Sequence, residues 1–78
     1  MGDMIKVLFY VRKSKSNSEG LSPVYLRVTV NGQRFDIATS RFVEVAKWSQ
    51  VGGRAMGSAK EIKELNEFLD VLRAKALG

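Results

Sequence analysis

The 78-residue chain contains no cysteine and no histidine. Disulfide staples are therefore excluded, and the usual zinc sites lack their ligands. The same two absences remove most nucleophile–base pairings, and no phosphate-cradling glycine motif stands in for them. Lack of cysteine fits a reducing cytosol. No apolar run approaches the roughly 20 residues needed to span a bilayer. Residues 4–11 are interrupted by Lys6 and lack a small-residue cleavage site, so they do not read as a signal peptide. Met1-Gly2-Asp3 reads in part as an expression remnant. Proline occurs once, glycine seven times, and apolar residues make up 45% of the chain, a globular rather than a disordered composition. The expectation is a single soluble, cytoplasmic domain over residues 1–78, near the lower size limit of independent stability.

What the chain has in excess is positive charge, a formal +5. The distribution is uneven. Residues 1–57 carry Lys6, Arg12, Lys13, Lys15, Arg27, Arg34, Arg41, Lys47 and Arg54 against only Asp3, Glu19, Asp36 and Glu44. In residues 58–78 bases and acids cancel. A localised basic surface favours a polyanionic partner, although a solvated face that keeps a protein soluble has the same composition.

Residues 5–13 are rich in β-branched and aromatic side chains and predict a strand. Val7, Phe9 and Val11 point one way along it; Lys6, Leu8, Tyr10 and Arg12 point the other. Residues 14–22 form a serine-rich polar stretch, expected to be an exposed, mobile loop. Two alternating runs, 24–30 and 33–39, flank Asn31-Gly32, the strongest short hairpin signal, because a type I′ turn needs positive φ at both central positions. That turn predicts the pairs Val30/Gln33, Val28/Phe35 and Leu26/Ile37 on one face, and Thr29/Arg34, Arg27/Asp36 and Tyr25/Ala38 on the other. Residues 40–57 look irregular, with one helical turn near Val45-Ala46-Lys47-Trp48 and a loop over 51–57. Ser58 and Glu61 have the spacing of a capping box. Ile62, Leu65, Phe68, Leu69 and Leu72 then recur at helical spacing, predicting a helix over about 59–76.

The predicted fold class is α+β: a three-stranded antiparallel β-sheet with one C-terminal helix packed on one face. The helix stripe is expected to cover Val7, Phe9, Val11, Leu26, Val28, Phe35 and Ile37, with Trp48 sealing an edge. Nothing else is long enough to cover the second face. That face would hold Tyr10, Arg12, Tyr25, Arg27, Thr29, Arg34 and Asp36. Arginine, threonine and tyrosine at period two suit a sheet entering a DNA major groove. Lys13 and Lys15 on the loop, with Arg41 and Arg54, are candidates for phosphate contacts. Other readings stay open at this point. Arg27 opposite Asp36 also describes an ordinary cross-strand ion pair, and Tyr10 and Tyr25 could stack on single-stranded bases.

Several pieces together resemble the start of tyrosine-recombinase integrases of conjugative transposons and related mobile elements of Bacteroides-type bacteria. They are Phe9-Tyr10-Val11-Arg12-Lys13, the hairpin over 23–34, Lys47-Trp48, and Lys63-Glu64-Leu65-Asn66-Glu67-Phe68-Leu69-Asp70. The resemblance covers about residues 5–75. It implies an arm-type DNA-binding domain, a sheet laid in the major groove of double-stranded DNA, and Tyr10, Arg12, Tyr25, Arg27, Thr29 and Arg34 at the DNA face. It also implies other integrase domains as partners, with the catalytic residues of such recombinases far downstream, in a domain this chain does not include. One departure stands out: Ala38-Thr39-Ser40-Arg41 replaces the usual Ser-Thr-Gly, placing Arg where a small turn residue is common. The expected function is arm-site DNA binding that positions an integrase for site-specific recombination. The alternative is a protein-interaction module using the same face. No catalysis, cofactor, metal, membrane or small-molecule substrate is expected.

Overall fold

The computed structural model describes residues 4–77; the leading Met1-Gly2-Asp3 and the final Gly78 lie outside them. Strands β1 (Ile5–Val11), β2 (Leu21–Val30) and β3 (Gln33–Glu44) form one antiparallel sheet in the order β1-β2-β3. A two-residue pair, β4 (Trp48–Ser49) with β5 (Arg54–Ala55), follows, and then helix α1 (Lys60–Leu77). The chain is thus an α+β fold with a three-stranded sheet and one C-terminal helix.

The β2–β3 register follows from the turn. Asn31 and Gly32 both adopt positive φ (50° and 84°). Every pair expected from that geometry is present, from Val30↔Gln33 to Tyr25↔Ala38. β1 joins the other side of β2 with Val7↔Val28, Phe9↔Leu26 and Val11↔Val24 on the helix side, and Lys6↔Thr29, Leu8↔Arg27 and Tyr10↔Tyr25 on the opposite side.

The strand ends differ from expectation. β1 stops at Val11 rather than residue 13, and the reason lies in Pro23. The Arg12 N–H still donates to the Pro23 carbonyl (3.1 Å). Proline has no N–H to return the bond. The Arg12 carbonyl instead accepts from Lys15 N–H (3.1 Å), closing the short 3-10 turn Lys13–Lys15. β2 begins three residues earlier than expected because β3 runs on to Glu44 and pairs with it through Leu21↔Glu44, Ser22↔Val43 and Pro23↔Phe42.

The Ser-rich stretch is not a featureless loop. Asn17 Oδ1 accepts from the N–H groups of Glu19 (2.9 Å) and Leu21 (3.0 Å), an Asx-type turn. Ser22 is fully buried, and its hydroxyl meets that of Ser16 at 2.7 Å.

The extension of β3 requires a bulge. The register shifts between Val24 and Tyr25, so Thr39 and Ser40 are inserted in β3 between Ala38 and Arg41. Ser40 takes a left-handed conformation, φ 64°. Thr39 is buried, its hydroxyl donating to the Val24 carbonyl (2.8 Å) and accepting from Arg41 N–H (3.2 Å). The turn position therefore falls on Ser40, one residue before Arg41.

The core comprises Phe9, Val24, Leu26, Val43, Trp48, Ala55, Ile62, Leu65 and Leu69, with Val7, Val11, Val28, Phe68 and Leu72 packed against it. Two expected core residues are not in it. Phe35 and Ile37 are 53% and 52% exposed. The helix packs against β1 and the β4–β5 hairpin rather than lying along β3, so the Phe35 end of the outer strand extends beyond its cover. Trp48 is buried as expected, but its neighbourhood is not a loop: Arg54 and Ala55 pair with Ser49 and Trp48. Asn66, on the helix, completes this hairpin. Its amide oxygen accepts from Ala55 N–H and its amide nitrogen donates to the Ala55 carbonyl, each at 3.0 Å. The helix itself starts one residue later than the Ser58 box. The Ala59 carbonyl accepts from Ile62 and Lys63 N–H (both 3.1 Å), so Ala59 occupies the N-cap.

Two outcomes follow. Ser40→Gly should stabilise the fold by about 0.5–1 kcal/mol, the relief of a left-handed L-residue less the added chain entropy of glycine; a urea midpoint shift measures it. Asn66→Ala should destabilise by about 1–3 kcal/mol, since two backbone groups of one residue lose their partner, and should speed amide exchange at Ala55.

Candidate nucleic-acid interface

The sheet side opposite the helix carries three cross-strand rows. Lys6, Thr29 and Arg34 form the first, Leu8, Arg27 and Asp36 the second, and Tyr10, Tyr25 and Ala38 the third. Arg12 lies beyond the third. Leu8, Arg34, Asp36 and Ala38 are exposed, and the rest are exposed or half-buried. Among the described residues of this face, Lys6, Arg12, Arg27 and Arg34 stand against the single carboxylate of Asp36, so the face is cationic.

The centre of this face is a tight cluster. Tyr10 and Tyr25 stack with centroids 5.8 Å apart and planes 29° from parallel. The Arg12 guanidinium carbon lies 4.1 Å from the Tyr25 centroid, and that of Arg27 lies 4.6 Å from the Tyr10 centroid, both within cation–π range. Asp36 bridges the two arginines. Its Oδ1 accepts from Arg27 Nε–H at 2.9 Å, and its Oδ2 accepts from Arg12 Nη2–H at 3.3 Å and, at the limit of 3.5 Å, from Arg27 Nη2–H. The Tyr10 hydroxyl accepts from Arg12 Nε–H (3.3 Å) and Nη2–H (3.1 Å). The hydrogen bond from Arg27 holds the Asp36 carboxyl below its ordinary 3.8, with further help from the Tyr10 hydroxyl and the two arginine charges against a smaller cost of desolvation. Arg27 is pushed up chiefly by its bond to Asp36, and Arg12 chiefly by its bond to the Tyr10 hydroxyl.

Of the sequence-predicted site residues, Tyr10, Arg12, Tyr25 and Arg27 come together in this cluster. Thr29 and Arg34 share its face as direct neighbours across β2–β3. Lys13 and Lys15 sit on the exposed 3-10 turn that leaves the Arg12 end of the sheet. Arg41 is placed elsewhere. Beyond the bulge it pairs with buried Val24, on the helix side, and its guanidinium carbon lies 4.2 Å from the Phe68 centroid. Arg54 is exposed on β5, in the second small sheet, and joins none of the cluster's contacts. Sequence reading did not single out Lys6 and Leu8 as site residues, although strand alternation placed both on this face. It treated Asp36 as a partner of Arg27 alone; the link to Arg12, 24 residues away, depends on how β1 sits on β2. Among the described residues no group of three or more His, Cys, Asp or Glu is placed to hold a metal ion, and no helix is long and apolar enough to cross a membrane.

The three strands span roughly 10 Å between their outer backbones, at about 4.8 Å per strand spacing, against a major groove about 12 Å wide. A cationic sheet face of this size, backed by one helix, defines a small β-sheet module suited to a polyanion. Residues 9–77 match the arm DNA-binding domain family, and the chain belongs to that family. No curated protein and no solved structure matches the chain.

The Asp36 cluster generates an acid-range outcome. A carboxyl held low in the folded state contributes stability that is present above its ordinary titration range and lost as pH falls through the depressed value. The stability difference between the parent and Asp36→Asn should thus be constant near neutrality and close as pH falls below the ordinary carboxylate range. Carboxyl-carbon NMR should place the Asp36 titration below 3.8, and Arg27→Gln should return it toward that value.

Proposed function

We propose that the chain binds double-stranded arm-site DNA through the exposed sheet face, set in the major groove, and so positions a tyrosine-recombinase integrase of a mobile element during site-specific recombination. The observation that carries this reading is the shared direction of Arg12 and Arg27. Both guanidiniums project from the same open face and are held side by side over two tyrosine rings. In this reading Arg27, Arg12 and Arg34 reach base edges, where a guanidinium fork suits guanine O6 and N7. Thr29, Tyr10 and Tyr25 supply hydroxyls for phosphates or bases. Leu8 offers an apolar contact of the kind thymine methyls accept. Lys13 and Lys15 follow the phosphate backbone, and Lys6 does so at the other end of β1. Arg41 has a structural role on Phe68 that competes with phosphate contact, and Arg54 contributes only if the duplex passes beside β5. Other integrase domains are the natural partners, since linked modules gain affinity from effective concentration.

The test is fluorescence anisotropy on a duplex selected by this protein from a randomised pool, with a scrambled duplex beside it, across a salt series. Affinity should fall linearly with log salt, at a slope near −0.9 per neutralised phosphate. Lys15→Ala should weaken both duplexes alike and reduce the slope by about 1. Arg27→Ala should cost about 1–3 kcal/mol on the selected duplex and little on the scrambled one. Salt-insensitive association, or an Arg27→Ala variant with unchanged preference, would remove the sheet face from DNA reading.

A further inference from the structure

A carboxylate at the centre of a DNA-facing surface is unfavourable for affinity, because it repels every phosphate that approaches. Asp36 nevertheless lies between the two arginines best placed to read bases. Its position relative to them gives the reason. It engages Arg27 through Nε and Nη2, the side edge of the guanidinium, using both carboxylate oxygens. A guanidinium is planar, with two usable edges. When the side edge is occupied, the end edge formed by Nη1 and Nη2 is left pointing away from the carboxylate. Arg12 is held on its own side edge as well, by the Tyr10 hydroxyl, and its Nη2 shares Asp36 with Arg27. The rings of Tyr25 and Tyr10 lie against the two guanidiniums.

We propose that Asp36 is a specificity-determining residue: it holds Arg27 by its side edge, so that the Arg27 end edge faces the groove as a guanine-reading fork, and it ties Arg12 beside it through Nη2, and its charge disfavours the use of either arginine on phosphate. The proposal rests on the DNA-face reading above. Without Asp36, two adjacent guanidiniums repel each other, regain their side-chain freedom, and each can turn to the nearest phosphate. Loss of the carboxylate therefore strengthens binding to arbitrary DNA while weakening discrimination. That pairing of effects separates a selecting residue from a merely supporting one, whose loss would weaken both.

The experiment compares the parent chain, Asp36→Ala and Asp36→Asn, each confirmed folded by circular dichroism, on the duplex selected from the randomised pool and on its scrambled counterpart. Selection is also repeated with each variant. The parent should return a motif with sharply defined guanines. Asp36→Ala should bind the scrambled duplex more tightly and lose about tenfold in the ratio of selected to scrambled affinity, within the range that one bidentate base contact supplies. Its own selection should return blurred guanine positions. Asp36→Asn keeps the shape and one acceptor, and should shift both quantities the same way by less. An unchanged ratio in Asp36→Ala, or an equal loss on both duplexes, overturns the proposal while leaving the interface intact. Relaxation confined to a cytosine position, with guanines still sharp, also overturns it, because Asp36 would then be reading a base itself. Failure of the parent chain to select any sequence overturns the DNA-face reading and this proposal with it.

Discussion

The register of the β2–β3 hairpin is the constraint on which everything else rests. Asn31 and Gly32 both take positive φ, and the turn they form aligns Val28 with Phe35 and Arg27 with Asp36. A slip of one residue would exchange the two faces of the strand pair, putting Arg27 toward the helix and Leu26 toward solvent. β1 then adds to β2 with its apolar residues on the same side as Leu26 and its polar residues beside Arg27. With only one helix to bury one side, the opposite side is left to carry charge.

The far end of the sheet is governed by two local exceptions to regular pairing. Pro23 cannot return a hydrogen bond to β1, and the freed Arg12 carbonyl turns the chain into a 3-10 turn that carries Lys13 and Lys15 out beside the face. The Thr39-Ser40 bulge lets β3 continue to Glu44, which buries Val43 and brings Arg41 over Phe68. Bulges of this kind re-aim side chains at the rims of sheets. Here the effect is to divide the basic residues of the chain between two purposes. Arg12 and Arg27 face outward with the tyrosines, while Arg41 is used to cover an aromatic ring of the helix.

The face itself is more organised than a patch of positive charge. Two tyrosines, two arginines and one aspartate form a closed set of contacts among all three strands. The ion pairs are partly exposed, so their contribution to stability is modest. Their consequence is orientation: long, flexible arginine side chains are held before any partner arrives, which lowers the ordering cost of binding.

The sequence alone determined the α+β class, the hairpin and its register, the terminal helix and the membership of the cationic face, because turn chemistry and the periods of strand and helix are properties of neighbouring residues. It also suggested the arm-domain resemblance, which the family match bears out over residues 9–77. It did not determine what depends on elements distant in the chain. The exposure of Phe35 and Ile37 follows from which strands the helix covers. The grip of Asn66 on Ala55 needs a hairpin too short to show as a strand pattern. The side on which Arg41 acts follows from where the bulge re-aligns β3 and from a phenylalanine on the helix. The sharing of Asp36 between Arg27 and Arg12 exists only once β1 lies against β2. Local rules decide which way a side chain points along a strand; what it meets there is set by which strands and helices become neighbours, and only the folded chain supplies that.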